Sequence, residues 1–503
     1  MANENIEVAR AYHEVTKHSY TSVRAVQHLL DWDNKPLPYK IYPEAASIAL
    51  PRDLSLSSLP TLEAIAGGGA AANGAVLDEA ALGRILFCAG GLTRHKRVGD
   101  EDYHFRAAPS AGALYPIEIY VAGGKVEGMD AGLYHFSPAD LKLRGMRRGD
   151  WRAAIAAGCA MSDSILEARA VLILSAIFWR STWKYRARAY RYCFWDAGTI
   201  LANVLAAVAA EGLEAEVLTA FVDEELERLV GIDGEREGGI CLVAIGKSSK
   251  PAEAAPEPIP LKLETVQLSA EEKSYDDLVK MHRASKLLSI EEARRIGAAT
   301  LDLEPPPPTE VTYRPDTIEP VNADGLGATI LHRGSTRAFA RKSIDDEVLA
   351  TIMAFSSGHP HADSPRLTDS YLIVNAVDGM EPGAYYYSRE RQSFDLLKAG
   401  DFRRQAGYLC LEQELGADAS VLLCYMADLE RVLRTFGNRG YRNAHLEAGL
   451  LGGRAYLAAY SLEHGATGLT FYDDETTGFF SPHAAGKSPL LMVAIGVPRN
   501  AAA

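Results

Sequence analysis

Long charge-free apolar runs are absent. None reaches the ~18 residues that a membrane-crossing helix needs, and the N-terminus "MANENIEVAR" lacks the basic-then-apolar pattern of a secretory signal. Cysteine is sparse: the six (Cys88, Cys159, Cys193, Cys241, Cys410 and Cys424) stand singly in mostly apolar segments with no CxxC pair. That spacing suits buried, reduced thiols better than a zinc site or a disulfide framework. Positive charge is also short, with 52 Lys and Arg against 66 Asp and Glu and a net charge of −14. Binding to a nucleic-acid backbone needs the opposite balance. The expectation is a cytoplasmic protein with no membrane and no nucleic-acid partner. Two glycine-containing stretches also fail as nucleotide loops. "AGGGAAANGA" lacks GxGxxG spacing and a preceding apolar strand, and "SPHAAGKSP" lacks the glycine five residues before its Gly-Lys pair.

What is present is a sequence written twice. At 503 residues the chain exceeds what one hydrophobic core usually organises. "GLYHFS" at 132–137 returns as "GAYYYS" at 383–388, a shift of 251. The same shift carries "GDWR" (149–152) onto "GDFR" (400–403), and Arg188, Tyr190, Arg191, Asp196 and Gly198 onto Arg439, Tyr441, Arg442, Glu447 and Gly449. "VAIG" closes both copies, and "HEVTK" (13–17) answers "HRASK" (282–286). The proline-rich stretch 250–272 marks an extended linker between a first domain, 1–249, and a second, 273–503. Each copy reads as a helix, strands, a Gly-Leu/Ala-Tyr hairpin region, and a long small-residue helix from Asp196 or Glu447. The absence of a regular βαβ alternation predicts α+β, a central mainly antiparallel sheet flanked by helices. Two fused copies of one fold predict an intrachain pseudo-dimer. The shared Arg-x-Tyr-Arg…Asp/Glu-Ala-Gly pattern reads as architectural, a buried ion pair where the halves meet. His13 and His282 read as packing or capping residues rather than ligands, and His359 and His361 do not amount to a metal site.

One stretch occurs intact only once. In "RAAPSAGALYPIEIYV" (106–121) the small residues Pro109, Ser110, Ala111 and Gly112 lead straight into an apolar strand. Such a junction lets backbone N–H groups approach a ligand closely. "FRAAPSAGALYPIEIYV", "LYHFSP", "WKYRARAYRYCFWDAGTILANVLAAVAAEGLEAE" and "VAIG" resemble the flavin-dependent nitroreductase superfamily. More narrowly, they resemble its SagB/ThcOx-type dehydrogenase branch. The resemblance implies FMN held where two interleaved units meet. One unit offers an Arg-x-Ser-x-Arg phosphate clamp, the other a Pro-Ser loop beneath the ring.

The halves divide that requirement. The second holds Arg333, Ser335 and Arg337 in "HRGSTRAF", where the first aligns Ala66-Gly67-Gly68-Gly69-Ala70. Two guanidiniums and a hydroxyl suit a phosphate. Conversely, the Pro109-Ser110-Ala111-Gly112 loop aligns with Pro360-His361-Ala362-Asp363, which has lost Ser and Gly and gained a carboxylate. One composite FMN site per chain is expected, with a degenerate twin. By the same resemblance, Arg499 and the loop holding Gly468 and Leu469 join the cofactor contacts. Lys184-Tyr185 matches a Lys-Tyr pair of azoline dehydrogenases in this branch, replaced by Thr435-Phe436 in the second copy. Arg180, Arg186, Arg188 and Arg191 are expected to supply cations that lower the Lys184 pKa. The implied activity is oxidation of a C–C or C–N bond in a small-molecule or modified-peptide substrate. The alternatives are a nitro- or quinone-reducing enzyme using NAD(P)H and a non-catalytic flavin-binding protein.

Overall fold

The computed structural model describes residues 2–25, 29–67, 75–98, 101–124, 126–248, 251–261 and 263–499. Residues 68–70 of the small-residue stretch aligned with the clamp, and linker positions 250 and 262, lie outside them. The first half builds strands β1 (Ser47–Ala49), β2 (Leu92–Val98), β3 (Glu101–Arg106), β4 (Ile117–Gly123), β5 (Gly132–Ser137), β6 (Lys142–Arg148), β7 (Ala168–Ile177), β8 (Ala215–Leu218) and β9 (Glu237–Lys247). The second builds β10 (Thr312–Tyr313), β11 (Asp369–Val374), β12 (Gly383–Ser388), β13 (Ser393–Ala399), β14 (Val421–Ala427), β15 (Gly465–Leu469) and β16 (Ser488–Gly496). Two seven-stranded sheets result, ordered β1-β6-β5-β4-β7-β9-β8 and β10-β13-β12-β11-β14-β16-β15. Every pairing within them is antiparallel. The α+β expectation and the duplication both hold. β2 and β3 form a separate hairpin.

The period of two in a strand explains how the first half's sheet serves two cores. Along β4, β7 and β9, residues such as Ile119, Val121, Leu172, Leu174 and Val243 face a core shared by both halves. Their neighbours Tyr120, Val171, Ile173 and Leu242 face a second core roofed by the helices Arg152–Gly158 and Asp223–Val230. With both faces covered, β7 reads "ARAVLILSAI" without polar alternation. Helix Glu79–Gly90 begins where the Asp78 carboxylate accepts from Ala81 N–H at 2.7 Å, an N-cap that satisfies an otherwise orphaned donor.

At the centre, helices Ala189–Ala210 and Asn438–Ser461 pack against each other. They start seven and nine residues before the Asp196 and Glu447 read from the sequence. Nothing in 189–195 breaks a helix; the boundary is the turn at Arg186, where φ is +53°. The stretch Phe178–Ala210 is long and apolar enough to cross a membrane by composition alone, yet 89% of that window is buried in the protein. Gly198 and Gly449 sit at the crossing. A Cβ built on Gly449 lies 2.5 Å from the Trp195 carbonyl oxygen, so only glycine permits this approach. Gly449→Ala is therefore expected to lower the thermal midpoint. Overpacking costs ~1–3 kcal/mol, against roughly 1 kcal/mol gained in helix propensity. A raised midpoint by calorimetry would contradict the contact.

The halves are tied by ion pairs that cross reciprocally. Arg188 and Arg191 donate to Asp473 at 2.8 and 2.7 Å, and Arg439 and Arg442 donate to Asp223 at 2.7 and 3.0 Å. All six side chains are buried. The arginines of the shared pattern thus meet the other half's aspartate, and Asp196 and Glu447 are released for other work. Each N-terminal helix also reaches across. His13 Nδ1 meets the Tyr441 hydroxyl and His282 Nδ1 meets that of Tyr190, each at 3.2 Å. Both histidines are packing residues, as read. All six cysteines are free and buried.

Candidate active site

Asp196 opens the site. It lies buried on the long helix of the first half and accepts from Ser110 Oγ at 2.5 Å and Ala111 N–H at 3.0 Å. Thr199, one turn on, donates to the Pro109 carbonyl at 2.8 Å, and Ser110 Oγ accepts from Tyr115 N–H at 2.9 Å. Burial raises the Asp196 pKa to about 7 against the pull of its two hydrogen bonds. The Pro-Ser loop is therefore bolted to the central helix. Its Gly112 has φ +65°, a conformation that favours glycine.

Gly112 is the meeting point. A Cβ added there would lie 2.7 Å from the Tyr185 hydroxyl and 3.2 Å from Lys184 Nζ. Both side chains come from the last turn of helix Phe178–Tyr185. Lys184 is half-buried and its pKa is lowered, first by burial and then by the charges of Arg337 and Lys35. This corrects the expectation from sequence. Arg180 is neutralised by Glu118, and Arg188 and Arg191 by Asp473, while Arg186 is exposed and interacts with Tyr275. The cations that act on Lys184 are distant in sequence, and one belongs to the other half. Burial and the neighbouring Tyr192 push Tyr185 up, so it stays a neutral phenol and an O–H donor. In the second half Thr435 donates to its own helix at Arg431 O, and Phe436 is buried.

The Arg-x-Ser-x-Arg segment arrives from the second half. Arg333 is buried and donates to the carbonyls of Ala107 (3.0 Å) and Arg106 (2.8 Å), immediately before the Pro-Ser loop. It joins the halves. Ser335 faces the buried Tyr456 hydroxyl, which accepts from Gly468 N–H. Tyr456 thereby couples the clamp to β15; nothing in its local sequence signalled the role. Arg337 is exposed and has no hydrogen-bond or ion-pair partner among the described residues. Gly468 is exposed on β15 and Leu469 is buried. Arg499 is the member drawn elsewhere. Its N–H donates to Ala338 O beside Arg337, but its guanidinium pairs with Asp418 at 3.1 Å.

The mirror position is built differently. Asp363 accepts from Thr219 N–H, Thr219 Oγ1 and Ala220 N–H at 2.8–2.9 Å, and Ala362 bridges Val217 on β8. The loop is thus stitched to the strand edge. The adjoining cleft of about 620 Å³ carries Asp163, Glu167, Glu214 and Glu216 against Lys247 and Arg454. That balance does not suit a phosphate. Among the described residues, no group of His, Cys, Asp and Glu could hold a metal ion.

Fold and site together define an oxidoreductase of the two-unit kind, with both units in one polypeptide. A family model described as "Nitroreductase family" matches residues 73–247 and again 330–496. The chain belongs to the nitroreductase family, carried twice in tandem. A nitroreductase-family protein of Methanocaldococcus jannaschii is 30% identical over 166 residues, 33% of this chain and 79% of that protein. The microcin B17-processing protein McbC of Escherichia coli is 26% identical over 135 residues, 25% of this chain and 49% of that protein. The chain thus spans about half of McbC. A nitroreductase-family crystal structure from Anabaena variabilis matches with a TM-score of 0.79 at 25% identity, covering 98% of this chain and 99% of that one.

Proposed function

We propose that the chain is an FMN-dependent dehydrogenase of SagB type, with one composite site made by both halves. The observation that carries this reading is the convergence on Gly112 of Lys184 and Tyr185, with Arg337 of the other half acting on Lys184. The residues present fit FMN: an exposed guanidinium at Arg337 with no hydrogen-bond or ion-pair partner among the described residues, exposed backbone at Gly468, and a loop whose Gly112 holds φ +65° beside Lys184 and Tyr185. Arg337, Ser335 and Arg333 would hold the phosphate end, and Pro109, Ser110, Ala111 and Gly112 the ring, with Gly468, Leu469 and Arg499 as lesser contacts. Bound FMN supplies a hydride acceptor. The chain supplies the base: neutral Lys184 Nζ takes the proton from the substrate C–H or N–H as the other hydrogen leaves with its electron pair. Tyr185 O–H donates to developing negative charge. The likeness to a protein named for microcin processing supports a modified peptide as substrate.

The test is colour. Purified protein is expected to carry one FMN per chain. Arg337→Ala is expected to lose ~10–150-fold in FMN affinity, the loss of one charge-assisted contact. Undiminished ~450 nm absorbance in Arg337→Ala and in Arg333→Ala would remove the clamp. NADH or NADPH that bleaches the flavin within milliseconds would favour the reductase reading.

A further inference from the structure

The rim of this site has the wrong charge for the protein it belongs to. In a chain of net charge −14, four cations surround the Lys184–Gly112 contact, and none has an ion-pair partner among the described residues. They form a closed circuit. Arg337 and Lys35 both act electrostatically on Lys184. Lys35 Nζ stands 5.1 Å over the Tyr103 ring and 5.5 Å over that of Trp32. Tyr103 on β3 pairs directly with Lys96 on β2, so the two side chains share a hairpin face. Arg94, two residues along the same strand, lies on that face too. Its Nη2 reaches the Arg333 carbonyl at 3.5 Å and lies 3.0 Å from a Cβ built on Gly334, back at the clamp. Arg94 and Lys96 are exposed.

Among the described side chains, the nearby acids do not pair with these cations. Asp102 pairs with His95 at 2.9 Å, on the opposite face of the hairpin. Asp31 and Asp33 flank Trp32 and are exposed, and neither forms an ion pair with Lys35 among the described residues. Elsewhere, cations in comparable positions are paired, as Arg84 is with Glu211 and Lys40 with Glu237. One of the four, Arg337, is occupied under the proposed function. Lys35, Arg94 and Lys96 exceed anything a single phosphate requires. Beside them the protein leaves Leu29 86% and Trp32 57% exposed, and Trp32 packs edge-on against Trp183 of the helix that bears Lys184. Cations strung along a hairpin next to an uncovered apolar strip suit an extended ligand better than a compact one.

We infer that the substrate reaches Lys184 as part of an acidic peptide segment, whose carboxylates are held by Lys35, Arg94 and Lys96 while an apolar residue rests on Trp32. This rests on the dehydrogenase reading and names its substrate class. Lys35, Arg94 and Lys96 are positioning residues in it. The test uses the full-length, flavin-loaded chain and two fluorescein-labelled peptides, hexaglutamate and hexaglutamine, followed by anisotropy at low and moderate salt. Hexaglutamate is expected to bind at least tenfold more tightly than hexaglutamine and to lose that advantage as salt rises. The double variant Arg94→Glu, Lys96→Glu should weaken hexaglutamate at least tenfold with its flavin content intact. If reversal unfolds the hairpin, Arg94→Gln, Lys96→Gln serves the same comparison. Equal binding of the two peptides, or hexaglutamate binding that survives in the double variant, overturns the inference. So does a patch that only makes NADPH faster than NADH at bleaching the flavin, which would assign the cations to a dinucleotide phosphate. The flavin reading fails separately, by a colourless protein.

Discussion

Asp473→Asn is expected to cost about 3–5 kcal/mol of stability, because it strands two buried guanidiniums at once. Arg188 and Arg191 share that single carboxylate across the boundary between halves, and both are buried. Asp223→Asn should do the same to Arg439 and Arg442. Both aspartates have pKa values lowered by their arginines against the opposing effect of burial. A carboxylate lowered on folding contributes stability that is present above its unfolded value, near 3.9, and lost as pH falls through the folded one. Acid should therefore weaken the wild type below about pH 4, and each variant should show a shallower dependence there. Guanidinium titrations between pH 3 and 7 read both effects. A variant as stable as the wild type would show that the crossing pairs do not hold the halves together.

Lys184→Ala carries the second large effect: a ~10²–10⁴-fold slower single-turnover bleaching of the flavin by an azoline-bearing peptide, at unchanged flavin content. The pH profile adds direction. With the neutral amine as the proposed base, the rate should rise with pH, and the lowered pKa of Lys184 should put the inflection below the ~10.4 of a free lysine. Lys35→Gln removes one of the two cations responsible, and its inflection should move to higher pH. A Lys184→Ala rate equal to that of the wild type excludes this residue as the base. A profile unmoved in Lys35→Gln would leave burial and Arg337 as the influences on Lys184.

Repetition made the fold legible. Strands such as β5 and β12 have the same length in both halves and carry the shared words "GLYHFS" and "GAYYYS". The complementary half-motifs are also visible in the sequence, and the fold brings Arg333 of one half against the Pro-Ser loop of the other. Interactions between distant parts of the chain stayed hidden. Arg188 was read as a neighbour of Lys184 because only three residues separate them, yet the backbone turns at Arg186 and sends it to Asp473, 285 residues away. Asp196 was read as the partner of those arginines, and it holds the Pro-Ser loop instead. Tyr456 and Lys35 carry no local motif, and basic residues on a hairpin look like solvated surface until their surroundings are known.

Asp363 shows what joining the halves makes possible. Were the two units separate copies of one gene product, every side chain would recur in both clefts, and a carboxylate that fastens one loop would fasten the other. Within a continuous polypeptide each cleft answers to its own codons. One loop is free to become a permanent seam against the β8 edge, while its counterpart keeps the glycine turn that Lys184 and Tyr185 approach.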